Sequence, residues 1–194
     1  MTLWYEQWKL FAPGFSEGKS HLLLKDYGKD VSLSLLPGPG FGDFSHPTTR
    51  LTLKLLSKSV QSRNVIDIGC GSGILSLAAA LLGASSVYGY DIDPEAVSHA
   101  RENNVINQQK VVFGLAPPVH IPPHSLILMN MISSEQERAL STIIPFLKPP
   151  FHLITSGVLE TEIPSYLKWT TLLHFEKTDC ITEEGWAAFE FFVP

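Results

Sequence analysis

The chain has 194 residues, of which 44% are hydrophobic and 17% are charged, and its net charge is −5. This length fits one domain with a short appendage, and the composition excludes an intrinsically disordered chain. An acidic chain lacks the basic surface of a general nucleic-acid binder, so we expect no direct contact with nucleic acid.

The first 36 residues are predicted to form a linker helix followed by a hairpin. A short amphipathic helix is predicted before Pro13 and Gly14, and it contains Trp4, Tyr5, Trp8 and Phe11. Residues 21–25 and 31–36 flank a Gly-Lys-Asp turn and are predicted to pair as strands. The main domain is predicted to cover residues 37–194. It opens with a loop rich in glycine and proline and continues with a helix from about Pro47 to about Val60.

From residue 64 onward, strand and helix patterns alternate. Strands are predicted at 64–68, 86–91, 111–115, 125–130 and 151–156, and a closing pair of strands at 168–178 and 186–193. Helices are predicted at 74–82, from Pro94 to about Asn107, and from a cap at Ser133 or Ser134 to a point before Pro149, with Glu137 completing a capping box. This alternation predicts an α/β fold in which a mostly parallel, doubly wound sheet carries helices on both faces.

The two cysteines, Cys70 and Cys180, are too few for a disulfide framework and indicate a reducing compartment. The N-terminus does not have the pattern of a signal peptide. The two long uncharged stretches, 69–90 and 111–134, are interrupted by glycine, serine or proline and do not resemble membrane spans. We therefore expect a soluble, cytoplasmic protein without membrane contact and without a metal site.

The strongest local signal is the turn from Asp67 to Gly73, which follows a buried strand and precedes an apolar helix. Gly69 and Gly71 allow the main chain to approach a ligand that a Cβ atom would push away. The start of the next helix offers unpaired amides and the positive end of a dipole, which favour a phosphate or a carboxylate. The turn therefore predicts a nucleoside-binding site.

A carboxylate follows one strand later, at Asp91. It can accept hydrogen bonds from both hydroxyl groups of a ribose. Asp91 could instead be an ordinary turn residue, because Asp93 already caps the following helix, but the glycine turn before it favours the ribose role. A nicotinamide-dependent dehydrogenase is disfavoured because Gly73 comes one residue too early for the dinucleotide fingerprint, G-x-G-x-x-G.

The spacing Asp67-x-Gly69-x-Gly71-x-Gly73 resembles the first motif of class I methyltransferases. Residues 37–49, PGPGFGDFSHPTT, are similar to the P-G-x-x-F-G-T-G-x-H-P-T-T stretch of the ribosomal protein L-eleven methyltransferase (PrmA) family. The resemblance continues through residues 66–75, 89–96, 129–132 and 156–159 and covers essentially the whole chain. It implies a Rossmann-like, seven-stranded class I methyltransferase sheet that ends in an antiparallel strand pair.

The resemblance also implies a function: transfer of methyl groups from S-adenosylmethionine to amino groups of a protein acceptor, possibly a ribosomal protein. Positions carried over from the family, together with the glycine turn, give the expected cofactor-binding residues Thr48, Asp67, Gly69, Gly71, Asp91 and Asn130. We expect this chain to lack the family's small substrate-gripping N-terminal domain. In the loop before Thr48, Phe44 replaces a family glycine and is expected to bring an aromatic ring near the site.

Asn130 is the candidate catalytic residue. It ends a buried strand, 126–129, where a polar residue is otherwise costly, and its side-chain oxygen could accept a hydrogen bond from the incoming amine. The alternative is a buried asparagine that only ties down neighbouring backbone. Two other functions stay open on the sequence: methylation of a small molecule or of a different protein, and a non-catalytic module that binds S-adenosylmethionine. The oligomeric state also stays open.

Overall fold

A computed structural model describes residues 3–194, with side chains described from Tyr5 onward. The predicted contribution of Trp4 to the first helix therefore lies outside the described side chains. Between residues 3 and 194, no helix combines the length and the apolar character needed to cross a bilayer. Cys70 and Cys180 are free thiols.

The N-terminal segment forms the predicted helix and hairpin. Helix α1 covers Leu3–Phe11, and strands β1 (Ser20–Leu23) and β2 (Ser32–Leu35) pair antiparallel across a short 3₁₀ helix. The side chains of Trp8 and Leu33 are buried in the same hydrophobic core as the helix that follows. Residues 3–36 thus pack directly on the main body of the chain.

The rest of the chain alternates as predicted. In order, its elements are α2 (Pro47–Ser59), β3 (Asn64–Ile68), α3 (Ile74–Leu82), β4 (Ser86–Tyr90), α4 (Pro94–Ile106), β5 (Val112–Gly114), β6 (Leu126–Asn130), α5 (Ser133–Ile143), β7 (Phe151–Leu159), α6 (Ile163–Leu172), β8 (Glu176–Glu183) and β9 (Trp186–Val193). Short 3₁₀ helices follow α5 at Ile144–Phe146 and precede α6 at Glu160–Glu162.

One seven-stranded sheet organises these elements, in the order β5-β4-β3-β6-β7-β9-β8. Strands β3 to β7 are mutually parallel, and β9 runs antiparallel to both β7 and β8. The predicted fold class is confirmed, including the closing antiparallel pair. The strand order reverses between β3 and β6, and ligands of doubly wound sheets bind beyond the carboxyl ends of the strands at such a point.

The sheet is covered on both faces. Along β3, Val65 belongs to the core beneath α2, α3 and α4, whereas Ile66 and Ile68 belong to the core beneath α5 and α6. Strand β6 alternates in the same way, with Leu128 on the first face and Met129 on the second. Because successive side chains of a strand point to opposite faces, continuous apolar strands of this kind need helices on both sides.

Two sequence predictions about local structure are wrong. The predicted strand at 168–178 is replaced by α6 and by a strand that begins only at Glu176. Pro164 starts this helix, and Tyr166 and Thr170, four residues apart, are buried on one helical face, so tertiary packing overrides the β-branched residues of the segment. The predicted serine cap of α5 is also wrong, because Ile132 occupies the cap position and Ser133 Oγ donates to Glu162.

Candidate functional site

A cavity of about 740 Å³ lies at the carboxyl ends of the central strands. It brings together five of the six residues that the sequence predicts, namely Thr48, Gly69, Gly71, Asp91 and Asn130. They come from the start of α2, the turn after β3, the end of β4 and the end of β6. Parallel strands bring their carboxyl ends to one edge of a sheet, and this is why residues far apart in the sequence share one wall.

The turn after β3 needs glycine for two physical reasons. Gly69, Gly71 and Gly73 all have positive φ angles, of 70°, 53° and 81°. A Cβ atom at Gly71 would also lie 2.6 Å from the carbonyl oxygen of Phe41, which crosses the turn from the preceding loop. The loop between β2 and α2 and the glycine turn are therefore packed against each other without room for a side chain.

The amides of the turn itself are bonded to protein. Gly69 and Cys70 donate to the carbonyl oxygen of Tyr90, at 2.8 and 3.1 Å, and Ser72 donates to that of Phe41 at 3.0 Å. The Gly71 amide donates to a side chain, described next. What the turn offers to the cavity is therefore a surface without side chains, rather than a row of free donors.

Asp91 connects two parts of the site. Its Oδ2 accepts the Gly71 amide at 3.0 Å, and its Oδ1 accepts the Asp93 amide at 3.1 Å. A carboxylate has about four acceptor positions, so each oxygen keeps capacity for one further donor. The half-buried carboxylate is thus oriented by backbone before any ligand arrives, and it can still accept two hydroxyl groups.

Asp67, the sixth predicted residue, does not line the cavity. Its side chain is 1% exposed and lies beneath α3, where it accepts a hydrogen bond from Ser76 Oγ at 2.6 Å. Strand alternation explains this position, since Asp67 shares the face of Val65 and not that of Ile68, which does line the cavity. Burial raises the pKa of the Asp67 carboxyl to about 6.

Thr48 is held in position by His46, whose side chain caps the start of α2. His46 Nδ1 lies 3.3 Å from the Thr48 amide and 2.7 Å from its hydroxyl oxygen. Nδ1 can accept from the amide only when it carries no proton. Burial, and then the positive charge of Arg50, lower the pKa of His46, so the ring is neutral at neutral pH.

Asn130 presents an acceptor to the cavity. Its Nδ2 lies 3.5 Å from Thr49 Oγ1, and within residues 3–194 no donor bonds to its Oδ1. The parallel neighbour of Asn130 on β7 is Ser156. This amide orientation leaves the oxygen for a donor that enters the cavity.

A buried polar network supports the chain just after Asn130. The side-chain amide of Gln136 donates to the carbonyl oxygens of Met131, at 2.8 Å, and Ser156, at 3.1 Å. The hydroxyl of Tyr166 donates to the side-chain oxygen of Gln136, Oε1, and lies 2.8 Å from Thr155 Oγ1. These bonds join the ends of β6 and β7 to α5 and α6, and they fix the backbone that carries Met131 at the cavity wall.

An aromatic wall of the cavity was missed by the sequence analysis. The His46 ring packs edge-on between Phe41 and Trp186, with ring centroids 5.5 and 5.2 Å apart, and all three line the cavity. The expectation that Phe44 would bring a ring to the site is wrong, because Phe44 is buried in the main core. Trp186 is the first residue of β9, and its antiparallel partner is Leu159 at the end of β7.

Two further kinds of chemistry, an activated cysteine and a metal centre, have no support among the described residues. Cys70 is buried, and burial raises the pKa of its thiol, so it is not an activated nucleophile. Across residues 3–194, no group of three or more histidine, cysteine, aspartate or glutamate side chains could hold a metal ion.

Comparison with known sequences identifies close relatives. A family model described as Ribosomal protein L11 methyltransferase (PrmA) matches residues 17–192. The Ribosomal protein L11 methyltransferase of Paraburkholderia phytofirmans is 36% identical over 159 residues, covering 79% of this chain and 51% of that protein. The protein of the same name from Geobacter metallireducens is 41% identical over 139 residues, covering 71% of this chain and 46% of that protein. The chain spans about half the length of these curated relatives.

Solved structures agree with the sequence comparison. A ribosomal protein L11 methylase from Lactobacillus delbrueckii subsp. bulgaricus superposes with a TM-score of 0.72 at 26% identity, covering 81% of this chain and 82% of that one. An RNA methyltransferase from Salinibacter ruber, solved with S-adenosyl-L-homocysteine, superposes with a TM-score of 0.60 at 16% identity, covering 75% and 91%. The second likeness shows the shared fold alone, which is that of the class I methyltransferases.

Proposed function

The chain belongs to the ribosomal protein L11 methyltransferase (PrmA) family, and on that premise we propose that it transfers methyl groups from S-adenosylmethionine to amino groups of a protein. The observation that carries this proposal is the pairing of Asp91, whose carboxylate is oriented by the Gly71 amide, with Asn130 in one cavity. The acceptor is proposed to be a ribosomal protein of the kind that the relatives are named for. A cytoplasmic location follows from that acceptor.

The residues of the cavity fit an adenosylmethionine molecule. Its volume of about 740 Å³ is within the range of small-molecule sites. Asp91 keeps two acceptor positions for ribose hydroxyls, and Ile68 and Ile92 offer apolar surface in the same cavity. Gly69 and Gly71 line the cavity with main chain that carries no side chain. Thr48, Gly69, Gly71, Asp91 and Asn130 are therefore the proposed binding residues. Asp67 is proposed to act from below, by holding the start of α3 through Ser76.

The sulfonium group of bound adenosylmethionine supplies an electrophilic methyl carbon. The chain's part is to deliver an unprotonated amine in line with that carbon, and positioning of this kind supplies most of the rate. We assign this role to Asn130, whose Oδ1 accepts a hydrogen bond from the amine and so aims the nitrogen lone pair. The Nδ2 contact with Thr49 holds the amide in that orientation.

The wall of the cavity formed by Phe41, His46 and Trp186 suits an amine that arrives as a cation. Phe41 and Trp186 present aromatic surface, which attracts a positive charge through its quadrupole. The neutral His46 between them adds no repulsion. A lysine has a pKa of about 10.4 in water, and burial in the cavity lowers it. This effect of burial must outweigh the attraction of the rings for the ammonium before the neutral amine attacks. Residues 37–194 are proposed to form the methyltransferase domain, with residues 1–36 as its linker.

Transfer of a labelled methyl group tests the proposal. The chain is incubated with labelled S-adenosylmethionine and either purified ribosomal protein L11 or a ribosome-free extract. We expect label in the protein fraction that is stable to hydroxylamine and base, as methylated amines are. Label in small molecules only, or adenosylmethionine binding without transfer to either preparation, would contradict a protein amino-group acceptor.

Asn130→Ala isolates the proposed catalytic residue. We expect the turnover number to fall by about 10²-fold, because loss of alignment leaves the amine poorly placed, while the affinity for S-adenosylmethionine changes by only a few fold. Turnover is measured by label transfer and affinity by calorimetry. Equal losses in both quantities would assign Asn130 to cofactor binding alone.

A further inference from the structure

A second hollow lies at the opposite edge of the sheet from the cavity. Its volume is about 200 Å³, and it is lined by Ser62, Arg63, Asn64, Pro123, His124 and His152. Asn64 begins β3, His124 comes shortly before β6, and His152 is the second residue of β7. The hollow therefore sits at the amino ends of the central strands and is separate from the methyl-transfer site.

Two residues that line this hollow carry a buried polar atom without a hydrogen bond, although Glu190 Oε1 lies 3.5 Å from one of them, His152 Nδ1. Arg63 Nη1 and His152 Nδ1 are the buried side-chain nitrogen or oxygen atoms without a hydrogen bond in the part of the chain that the structure describes, and both belong to residues that line the hollow. Nearly all buried polar groups in folded proteins are hydrogen-bonded, because burial without a partner costs the group its hydration. Their coincidence in one hollow points to a ligand that would pair with them.

The charges around the hollow select the sign of that ligand. Its walls carry one guanidinium and two imidazoles, and no carboxylate. The nearest carboxylate is that of Glu190, whose Oε1 lies 3.5 Å from His152 Nδ1 but is already bonded to Ser59 Oγ at 2.6 Å. Burial, and then the charge of Arg63, lower the pKa of His152, while the nearby Glu190 carboxylate opposes this effect. Arg63 therefore supplies the fixed positive charge of the hollow, and the imidazoles supply hydrogen-bonding groups.

A metal ion does not fit these residues. The described residues contain no group of three metal-binding side chains, and a guanidinium would repel a cation. We propose that this hollow binds a small oxyanion, specifically a phosphate group, held by Arg63 and by the two histidines. Arginine recognises phosphate oxygens with two parallel hydrogen bonds, and each imidazole can donate one more. Asn64 adds a donor, because its Oδ1 already accepts Ser86 Oγ and its Nδ2 stays available.

Titration of the protein with sodium phosphate tests the site directly. Histidine ring protons are followed by NMR at pH 6.5, and sodium chloride at matched ionic strength serves as the reference. We expect the His124 and His152 signals to move in a saturable way with phosphate and the melting temperature to rise. An equal response to chloride would mean general charge screening and would overturn the proposal. A parallel titration with glycerol phosphate distinguishes two sources of the phosphate group. If only inorganic phosphate binds, the site takes the free anion; if glycerol phosphate binds at least as well, the site takes a phosphate monoester.

Two variants localise the response. Arg63→Gln should weaken phosphate binding at least 10-fold, and His124→Gln, at an exposed position, at least 3-fold. His120→Gln is the matched control, because His120 is exposed in the same loop but does not line the hollow. If Arg63→Gln and His124→Gln both retain wild-type phosphate affinity, the phosphate site is not the hollow proposed. Neither histidine touches the methyl-transfer cavity, so label transfer should be unchanged in both variants.

Discussion

Replacement of Asp91 by asparagine tests the ribose-binding role that the structure supports. The substitution keeps the size of the side chain and one acceptor oxygen but removes the charge. Hydrogen bonds to a charged group contribute about 1.5–3 kcal/mol, so loss of the charge should weaken binding of S-adenosylmethionine roughly 10-fold to 150-fold. The lost acceptor also releases one of the Gly71 and Asp93 amides, which adds to the effect and does not oppose it.

The measurement is calorimetric titration with S-adenosylmethionine and with S-adenosylhomocysteine, which share the ribose. Asp93→Asn is the matched control, since Asp93 caps α4 through the Glu95 amide at 2.9 Å and does not line the cavity. The control should change the melting temperature slightly and the affinity by less than about 2-fold. If Asp91→Asn binds both ligands within 2-fold of the wild type, the carboxylate does not hold the sugar and the reasoning fails.

Three further predictions concern the support of the site. Burial raises the pKa of the Asp67 carboxyl from 3.8 to about 6, so the folded state binds the carboxyl proton more tightly than the unfolded chain does. The contribution of this proton to the free energy of unfolding is complete below about pH 3.8 and is lost as pH rises through about 6. Asp67→Asn should therefore flatten the decline of melting temperature over that range, and an unchanged slope would contradict the assignment. Gly71→Ala should lower both the stability and the affinity for adenosylmethionine, because its Cβ would lie 2.6 Å from the Phe41 carbonyl oxygen. Gly28→Ala is the control: this glycine has a positive φ angle but open space around it, so the substitution should cost only backbone strain of about 1–2 kcal/mol. Equal losses in the two variants, by thermal unfolding and by calorimetric titration, would refute the close contact. Gln136→Leu should lower the melting temperature by roughly 4–12 °C, since it leaves the Met131 carbonyl without its side-chain partner and removes one hydrogen bond each from the Ser156 carbonyl and the Tyr166 hydroxyl. An unchanged melting temperature would show that the network contributes nothing.

Much of the site could be predicted from chain order alone. Gly69, Gly71, Asp91 and Asn130 each follow, or end, a strand of the alternating pattern, and parallel strands must bring these ends to one edge. The same alternation also contains the information that corrects Asp67. A side chain one residue away from Ile68 on a strand points to the other face, and there it lies beneath α3 and not in the cavity.

The segment around α6 shows where local sequence fails. Residues 168–173 resemble a strand because tryptophan and threonine favour extended structure. The chain is helical there because Tyr166 and Thr170 find a buried surface on the sheet, and Tyr166 completes the hydrogen bonds of Gln136. Neither partner is near in sequence, so no local pattern could reveal them.

The order of strands and helices as far as β7, the glycine turn, and the carboxylate and amide at the ends of β4 and β6 can be read from the sequence, because they depend on periodicity and on the conformational freedom of glycine. The wall formed by Phe41, His46 and Trp186 depends instead on how distant strands pair. Trp186 reaches it because β9 runs antiparallel to β7, which returns the start of β9 to the carboxyl edge of the sheet. Such pairing is set by burial of the whole sheet and not by neighbouring residues.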